Sequence, residues 1–554
     1  MNAYSLQGGH GMTIKQHDMS PQINMEKKDF AGPVRTVVPV YNHHLPPCNH
    51  ACPAGEDIQG WLSLAQAGQF QAAWEHILMN NPMPAVHGRA CYHPCEDSCN
   101  RGDLDGSITI HAVERFLGDM ANASGWQVPI AENKNSKRIL IVGAGPGGLS
   151  AAYHLRRMGH EVEIREAFSI PGGMMQYGIP AYRLPRDILK QDIDRIVGMG
   201  VKIVCNHRVA DLEQERKDGK FDAVFLGIGA GKPSLIDIPT QEGSHVLSAA
   251  EFLHDVSAGN EPKVGENVLV YGAGNTAMDA ARSAFRMGAK TVKIIFFWDR
   301  PHMEAHDFEI VDADAEGTEF KCMSTIASIE KNKVVLRKMV VGDTGRPEPT
   351  EEFEDMPMDT VIMALGQRPE SSFLSNVAGI ELNPDGTIVV GSDMMTGAAG
   401  VFAGGDAIRG PRSVTTAVGL GKKAARFING WLSANAYQIP PKNPISYYKD
   451  LHLPLLAETP QTIQKELPVE ERIGFKETLI GFSEDEAVYE AQRCLSCGNC
   501  YECDNCLAAC PEQALTKLGP GNGYAVDMDL CTGCSACFET CPCQAIDMVT
   551  EQRV

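Results

Sequence analysis

The sequence predicts a multidomain α/β chain: a helical metal domain first, two tandem Rossmann-like nucleotide domains in the middle, and a small α+β cysteine domain last. Three observations predict it. The chain has 554 residues, enough for three or four folded units. Two strand, glycine-turn and helix units follow one another in its centre. Five of its 18 cysteines lie between Cys48 and Cys99 and eleven between Cys494 and Cys543, leaving Cys205 and Cys322 alone between the groups.

Hydrophobic residues at 43% and charged residues at 21% belong to packed domains rather than to a disordered chain. Forty-nine basic against 70 acidic residues leave a formal charge of -21, a field that repels nucleic acid and anionic lipid. The start, MNAYSLQGGHGMTIKQ, lacks the basic and apolar regions of a secretory signal, and no run of apolar residues is long enough to span a bilayer. The expected compartment is the cytoplasm, where grouped cysteines read as metal ligands rather than disulfides.

Residues 1–35 are polar, Met-rich and aperiodic, and are expected to be a mobile arm. Residues 36–132 form the helical domain: IQGWLSLAQAG and FQAAWEHILM carry apolar residues three and four apart, with cysteines in the flanking loops. After a polar linker at 133–137, the first nucleotide fold covers 137–262. There RILIVGAGPGGL places Gly143, Gly145 and Gly148 after an apolar strand, and Glu166 closes the next strand. Such glycines let backbone approach a pyrophosphate at a helix N-terminus, and the acid accepts a ribose hydroxyl. The second fold, 263–368, repeats the pattern with Gly272, Gly274, Asn275 and Thr276, and has Ala277 where a third glycine would stand. Residues 369–438 put Asp406 after a strand and before a helix; 439–490 read as a Pro-rich linker.

The last domain, 491–554, contains two C-x2-C-x2-C-x3-C-P runs. The first is Cys500, Cys503, Cys506 and Cys510; the second is Cys531, Cys534, Cys537 and Cys541. This spacing sends the fourth cysteine of each run to the other's cluster, so Cys541 completes the first [4Fe-4S] site and Cys510 the second. A pair of structural zinc sites is the alternative. Cys543 falls outside the pattern and is expected to be a plain buried thiol.

The Gly404-Gly405-Asp406 turn, together with GGMMQYGIPAYRLP and DTVIMALGQRP, resembles the two-dinucleotide-domain flavoproteins. The resemblance implies an α/β FAD domain interrupted by the nicotinamide domain, with Gly173, Met174, Gly404, Gly405 and Asp406 on the flavin side. In relatives that take NADPH, a pair of arginines stands where this chain has Phe297 and Trp298. With Asp299 ending TVKIIFFWDRP, NAD(H) is favoured; Arg300 keeps NADP(H) open, and Asp299 read as a turn cap is the plainer alternative.

PPCNHACPAGEDIQGWL and GRACYHPCEDSCNRG resemble the cluster domain of the glutamate synthase small subunit and of dihydropyrimidine dehydrogenase, which implies two further [4Fe-4S] clusters. The first cysteine pair of that pattern is missing before Cys48, whereas the phrase that normally carries it, EAQRCLSC, stands at 490–497. The resemblance then implies that Cys494 and Cys497 join Cys48 and Cys99, while Cys52, Cys91 and Cys95 share a cluster with Glu114 of GSITIHAVERF. The alternatives are a local thiol pair and an exposed helix glutamate. The full reading is four clusters held by fifteen cysteines and one glutamate.

A nicotinamide gives two electrons as hydride and a cluster passes one, so a flavin between them makes an electron conduit. Residues 48–434 resemble the glutamate synthase small subunit. With the ferredoxin-like domain added, the chain looks closer to iron-sulfur flavoproteins that serve dissimilatory sulfite reductase or 2-oxoacid:ferredoxin oxidoreductases. A partner redox enzyme or ferredoxin, and an oligomer, are expected. A self-contained small-molecule reductase is the other reading; it would need a cysteine pair beside the flavin, and no catalytic side chain is identified.

Overall fold

The computed structural model describes residues 35–129, 137–234, 236–453 and 458–551. The expected arm, apart from Arg35, and the 133–137 linker, apart from Lys137, lie outside the described residues. The chain divides into two compact units, one of residues 47–441 and 458–494, the other of 1–46, 442–457 and 495–554.

In the large unit, RILIV forms the central strand Arg138–Val142 of a five-stranded parallel sheet, its apolar run buried. The order is Val401–Ala403, Ala223–Leu226, Arg138–Val142, Glu161–Arg165, Lys202–Val204. A parallel strand covered on both faces reads as a continuous hydrophobic run, as RILIV, AVFL and VFA do. Helices Pro146–Arg157 and Val414–Leu432 cross closely against it: a Cβ on Gly421 would sit 2.2 Å from the Gly147 carbonyl oxygen.

The second parallel sheet runs Glu319–Lys321, Thr291–Ile295, Asn267–Tyr271, Thr360–Met363, Val246–Ser248. This domain therefore starts earlier than the expected boundary at 263, because Val246–Ser248 pairs with Thr360–Met363 and Ser248 caps helix Ala249–Ser257. Its second strand also ends at Ile295, four residues short of Asp299, where the chain turns to bond the 321–324 loop.

The helical domain contains Ile58–Gln66, Phe70–Ile77, Pro84–Ala90 and Ile110–Ser124 around Trp61, Leu62, Ile77, Val113 and Leu117. Asp57 caps the first of these through the Gly60 N–H, and Gly125 ends the last in the left-handed conformation. The expected linker is not uniform. Helix Glu484–Gln492, closed by a Ser483–Glu486 capping box, inserts Ala487 and Ala491 into the core of the helical domain. The boundary expected at 490 therefore falls inside a packed helix, whose two buried alanines are one turn apart.

In the small unit, Val37–Tyr41 pairs antiparallel with Ile546–Thr550, and Leu515–Lys517 with Tyr524–Val526. Residues 36–46 thus leave the helical domain to which they were assigned. VVPVY is a β-branched, extended sequence, and it pairs with an equally β-prone IDMVT. Each cysteine run enters a one-turn helix, Asn505–Ala509 and Ala536–Glu539. No helix among the described residues is long and apolar enough to cross a membrane.

Candidate redox sites

The first nucleotide turn is built from contacts that only glycine allows. Gly143 has φ +102° and a Cβ there would lie 2.4 Å from the Gly227 oxygen; on Gly148 it would lie 2.0 Å from the Gly143 oxygen. Gly145 faces Gly173, which opens the short helix Met174–Tyr177 carrying Met174. Glu166 is buried, its carboxylate accepting the Ala144 N–H at 2.7 Å and the Phe168 N–H at 2.8 Å. Gly404, Gly405 and Asp406 stand beyond strand Val401–Ala403, and Gly405 lies near Gly147. Burial pushes the Asp406 carboxyl up to about 6. The expected FAD residues of both chain segments thus meet at one sheet edge, a glycine-lined cradle suited to a pyrophosphate.

The second turn repeats this geometry. Gly272 has φ +136°, and its Cβ would lie 2.2 Å from the Ala364 oxygen. Gly274 precedes helix Asn275–Arg286, Thr276 sits in its first turn, and the Asn275 amide oxygen accepts the His306 N–H. Asp299 pairs with His302, and the Trp298 ring stacks on His302 at 3.9 Å. Arg300 is bonded to Asp314 at 3.2 Å and lies over the Phe320 ring.

At the helical domain, Cys52, Cys91 and Cys95 border a buried acid cluster. Glu114 is buried rather than exposed, which removes the surface-glutamate alternative. Its carboxylate accepts from Asn81 at 2.8 Å, lies 3.9 Å from His87 Nδ1, and is pushed well up by burial and by Glu56. Burial raises the Cys91 thiol to about 12 and raises Cys52 and Cys95 as well, so a bound cation is what would hold these sulfurs as thiolates. Cys48, Cys99 and Cys494 each pack against the core of the helical domain. The phrase ending in Cys494 is locked there: the fully buried Arg493 binds Asp105 and Glu490 and donates to the carbonyls of Ser107, Gly106 and Thr459. Cys497 belongs to the small unit.

The small unit gathers Cys510, Cys531, Cys534 and Cys537 around one pocket. Four thiols from two different runs on one cavity are the donor set that a crossed [4Fe-4S] site requires. Cys500, Cys503, Cys506 and Cys541 form the other group, in mutual electrostatic reach. Cys543 is buried as expected, but its sulfur lies 3.8 Å from that of Cys541, and the contact holds Cys541 down and Cys543 up.

Several residues that position these sites gave no sequence signal. Lys422, on the helix after Asp406, donates to the Ala54 carbonyl and to Asn80 Oδ1 at 2.9 Å; burial lowers it to about 8. Thr415 of the same helix lies beside the Cys91 sulfur. Arg183 joins the nucleotide domains through Asp279 at 2.8 Å and Glu309 at 2.6 Å. Each is a long-range partner whose meaning depends on a residue far along the chain.

Residues 137–421 match the pyridine nucleotide-disulphide oxidoreductase family, residues 41–126 the 4Fe-4S domain II of dihydropyrimidine dehydrogenase, and 499–545 a 4Fe-4S dicluster domain. The chain is 34% identical to an NADPH-Fe(3+) oxidoreductase subunit beta of Geobacter sulfurreducens, over 81% of this chain and 75% of the relative. It is 33% identical to the NADP(+)-dependent formate dehydrogenase subunit beta of Moorella thermoacetica, over 81% and 70%. It is 34% identical to the glutamate synthase [NADPH] small chain of Escherichia coli, over 70% and 89%. Glycine turns of this geometry, cysteine groups on either side and these matches agree: the chain belongs to the pyridine nucleotide-disulphide oxidoreductase family, as an electron-transfer iron-sulfur flavoprotein of the glutamate synthase small-chain type.

Proposed function

We propose that the chain carries electrons between NADH and a separate catalytic redox subunit or ferredoxin in the cytoplasm, through FAD and four [4Fe-4S] clusters. The observation that carries this is helix Val414–Leu432. Its N-terminus follows the Asp406 turn, and its Thr415 and Lys422 reach Cys91 and the loop after Cys52. One rigid element therefore joins the flavin cradle to a cysteine site. FAD, when bound, exchanges hydride for single electrons; this chain's residues hold the pyrophosphate, exclude water and fix the distance. The relatives named as subunits of formate dehydrogenase and glutamate synthase support a partner that supplies the substrate chemistry.

Preference for NADH rests on Trp298 and Phe297 in place of cations and on Arg300 being held by Asp314. The relatives' names favour NADPH, so this is where the chain departs from them. The split cluster is supported by Cys48, Cys99 and Cys494 each packing against the core of the helical domain, with Cys497 three residues further along the chain. The test is reduction of a one-electron dye by the isolated holoprotein with each nicotinamide and no metabolite. Turnover with a higher kcat/KM for NADH is expected; dye reduction only when a small-molecule substrate is added would overturn the conduit reading.

A further inference from the structure

The two cysteine runs of the small unit are an internal repeat, and their ligand sets are nearly equivalent. Each has one exposed sulfur, Cys503 or Cys534, and buried ones at Cys506 and Cys541 or Cys531 and Cys537. The fourth ligand of each is met alike too: the Ala545 N–H donates to the Cys541 sulfur and the Ala514 N–H to the Cys510 sulfur, both at 3.3 Å. By exposure and these two contacts alone, the two sites would have similar potentials.

Side chains break this equivalence. The Tyr41 hydroxyl, from strand Val37–Tyr41, donates to the Cys506 sulfur at 3.1 Å. The Cys543 thiol stands 3.8 Å from the Cys541 sulfur, within sulfur hydrogen-bonding range. Both fall on the first set, Cys500, Cys503, Cys506 and Cys541. Among the described residues no side chain donates to the sulfur of Cys510, Cys531, Cys534 or Cys537. Arg35 approaches the second set, but it donates to the Cys531 carbonyl at 2.8 Å and its charge is met by Glu551.

A phenol and a thiol are protonated donors at neutral pH. Donors aimed at ligand sulfur draw charge from it and favour the reduced, more negative cluster. We propose that Tyr41 and Cys543 are positioning residues that make the first of the two ferredoxin-like sites the higher in potential, so that a single electron entering the pair resides there. The proposal rests on the crossed ligand assignment and deepens it.

The experiment is an EPR-monitored redox titration of the full-length holoprotein, in wild type and in Tyr41→Phe, Cys543→Ala and the double variant. Cys503→Ser marks which signal is the first site's, and Tyr524→Phe, whose hydroxyl bonds Asp504 rather than a ligand, is the control. Two separated potentials are expected in wild type, with the first site the higher. Each variant should lower that potential alone, the double variant most, with iron content and the control unchanged. Coincident wild-type potentials, variants that leave the first site in place, or shifts confined to the second would overturn the proposal. Failure of the ligand reading looks different: there, Cys541→Ser perturbs the signal that Cys534→Ser marks, not the one that Cys503→Ser marks.

Discussion

A methyl group is enough to separate the two nucleotide sites. Gly272→Ala adds a Cβ 2.2 Å from a backbone oxygen at a φ of +136°, so the turn must move. It should abolish reduction by nicotinamide while the purified protein keeps its FAD, read by flavin absorbance and by photoreduction. Replacing Phe297 and Trp298 together by arginine should restore the pair that holds a 2′-phosphate and raise kcat/KM for NADPH at least about tenfold, one bidentate charge contact being worth about 1.5–3 kcal/mol. Asp406 yields a pH prediction. Its folded value of about 6 lies above the ordinary 3.8 because burial disfavours the charge. The folded apoprotein therefore binds a proton the unfolded chain has lost, and stability falls as pH rises from about 4 to 6, by about 3 kcal/mol, then levels. Asp406→Asn should flatten that part of the stability curve in urea titrations.

Among the elements, helix Glu484–Gln492 with Arg493 carries the most consequence for its size. Removing the fully buried Arg493 leaves the buried Glu490 without its cation, while Asp105 keeps Arg101, at a cost of about 3–5 kcal/mol. Arg493→Met should expose the 458–494 segment to limited proteolysis and lose the same cubane that Cys494→Ser with Cys497→Ser loses, while the C-terminal pair remains. Full iron content in the double serine variant would refute the split site. The strands and glycine turns of both nucleotide domains were legible in the sequence because their signals are local: an apolar run, three glycines and an acid at fixed spacing. The division of the 439–490 linker was not. The S-x-x-E phrase at Ser483–Glu486 and the alanines Ala487 and Ala491 mark a helix there, but its partner face, around Ile58 and Trp61, is distant in sequence. Lys422 and Thr415 escaped notice for the same reason: each looks like ordinary helix composition until the Cys52 and Cys91 loops are set against it.

Taken whole, the molecule is expected to bind one FAD and about sixteen irons, four for each of four cubanes. Metal analysis near twelve would remove the split site, and near eight would empty the helical domain. The strand at Val37–Tyr41 adds something of another kind. Asn42 and Asp547 are 505 residues apart yet hydrogen-bonded, and Pro39 lines the cavity of the second cysteine set. On a ribosome adding roughly 5–20 residues per second, the early strand waits about half a minute or more for its partner. The flavin-binding middle can fold before residues 546–550 emerge; the small domain cannot. Its clusters are therefore delivered later than the flavin, so shortage of cluster supply should accumulate a flavin-loaded, yellow precursor whose ferredoxin-like domain is still open.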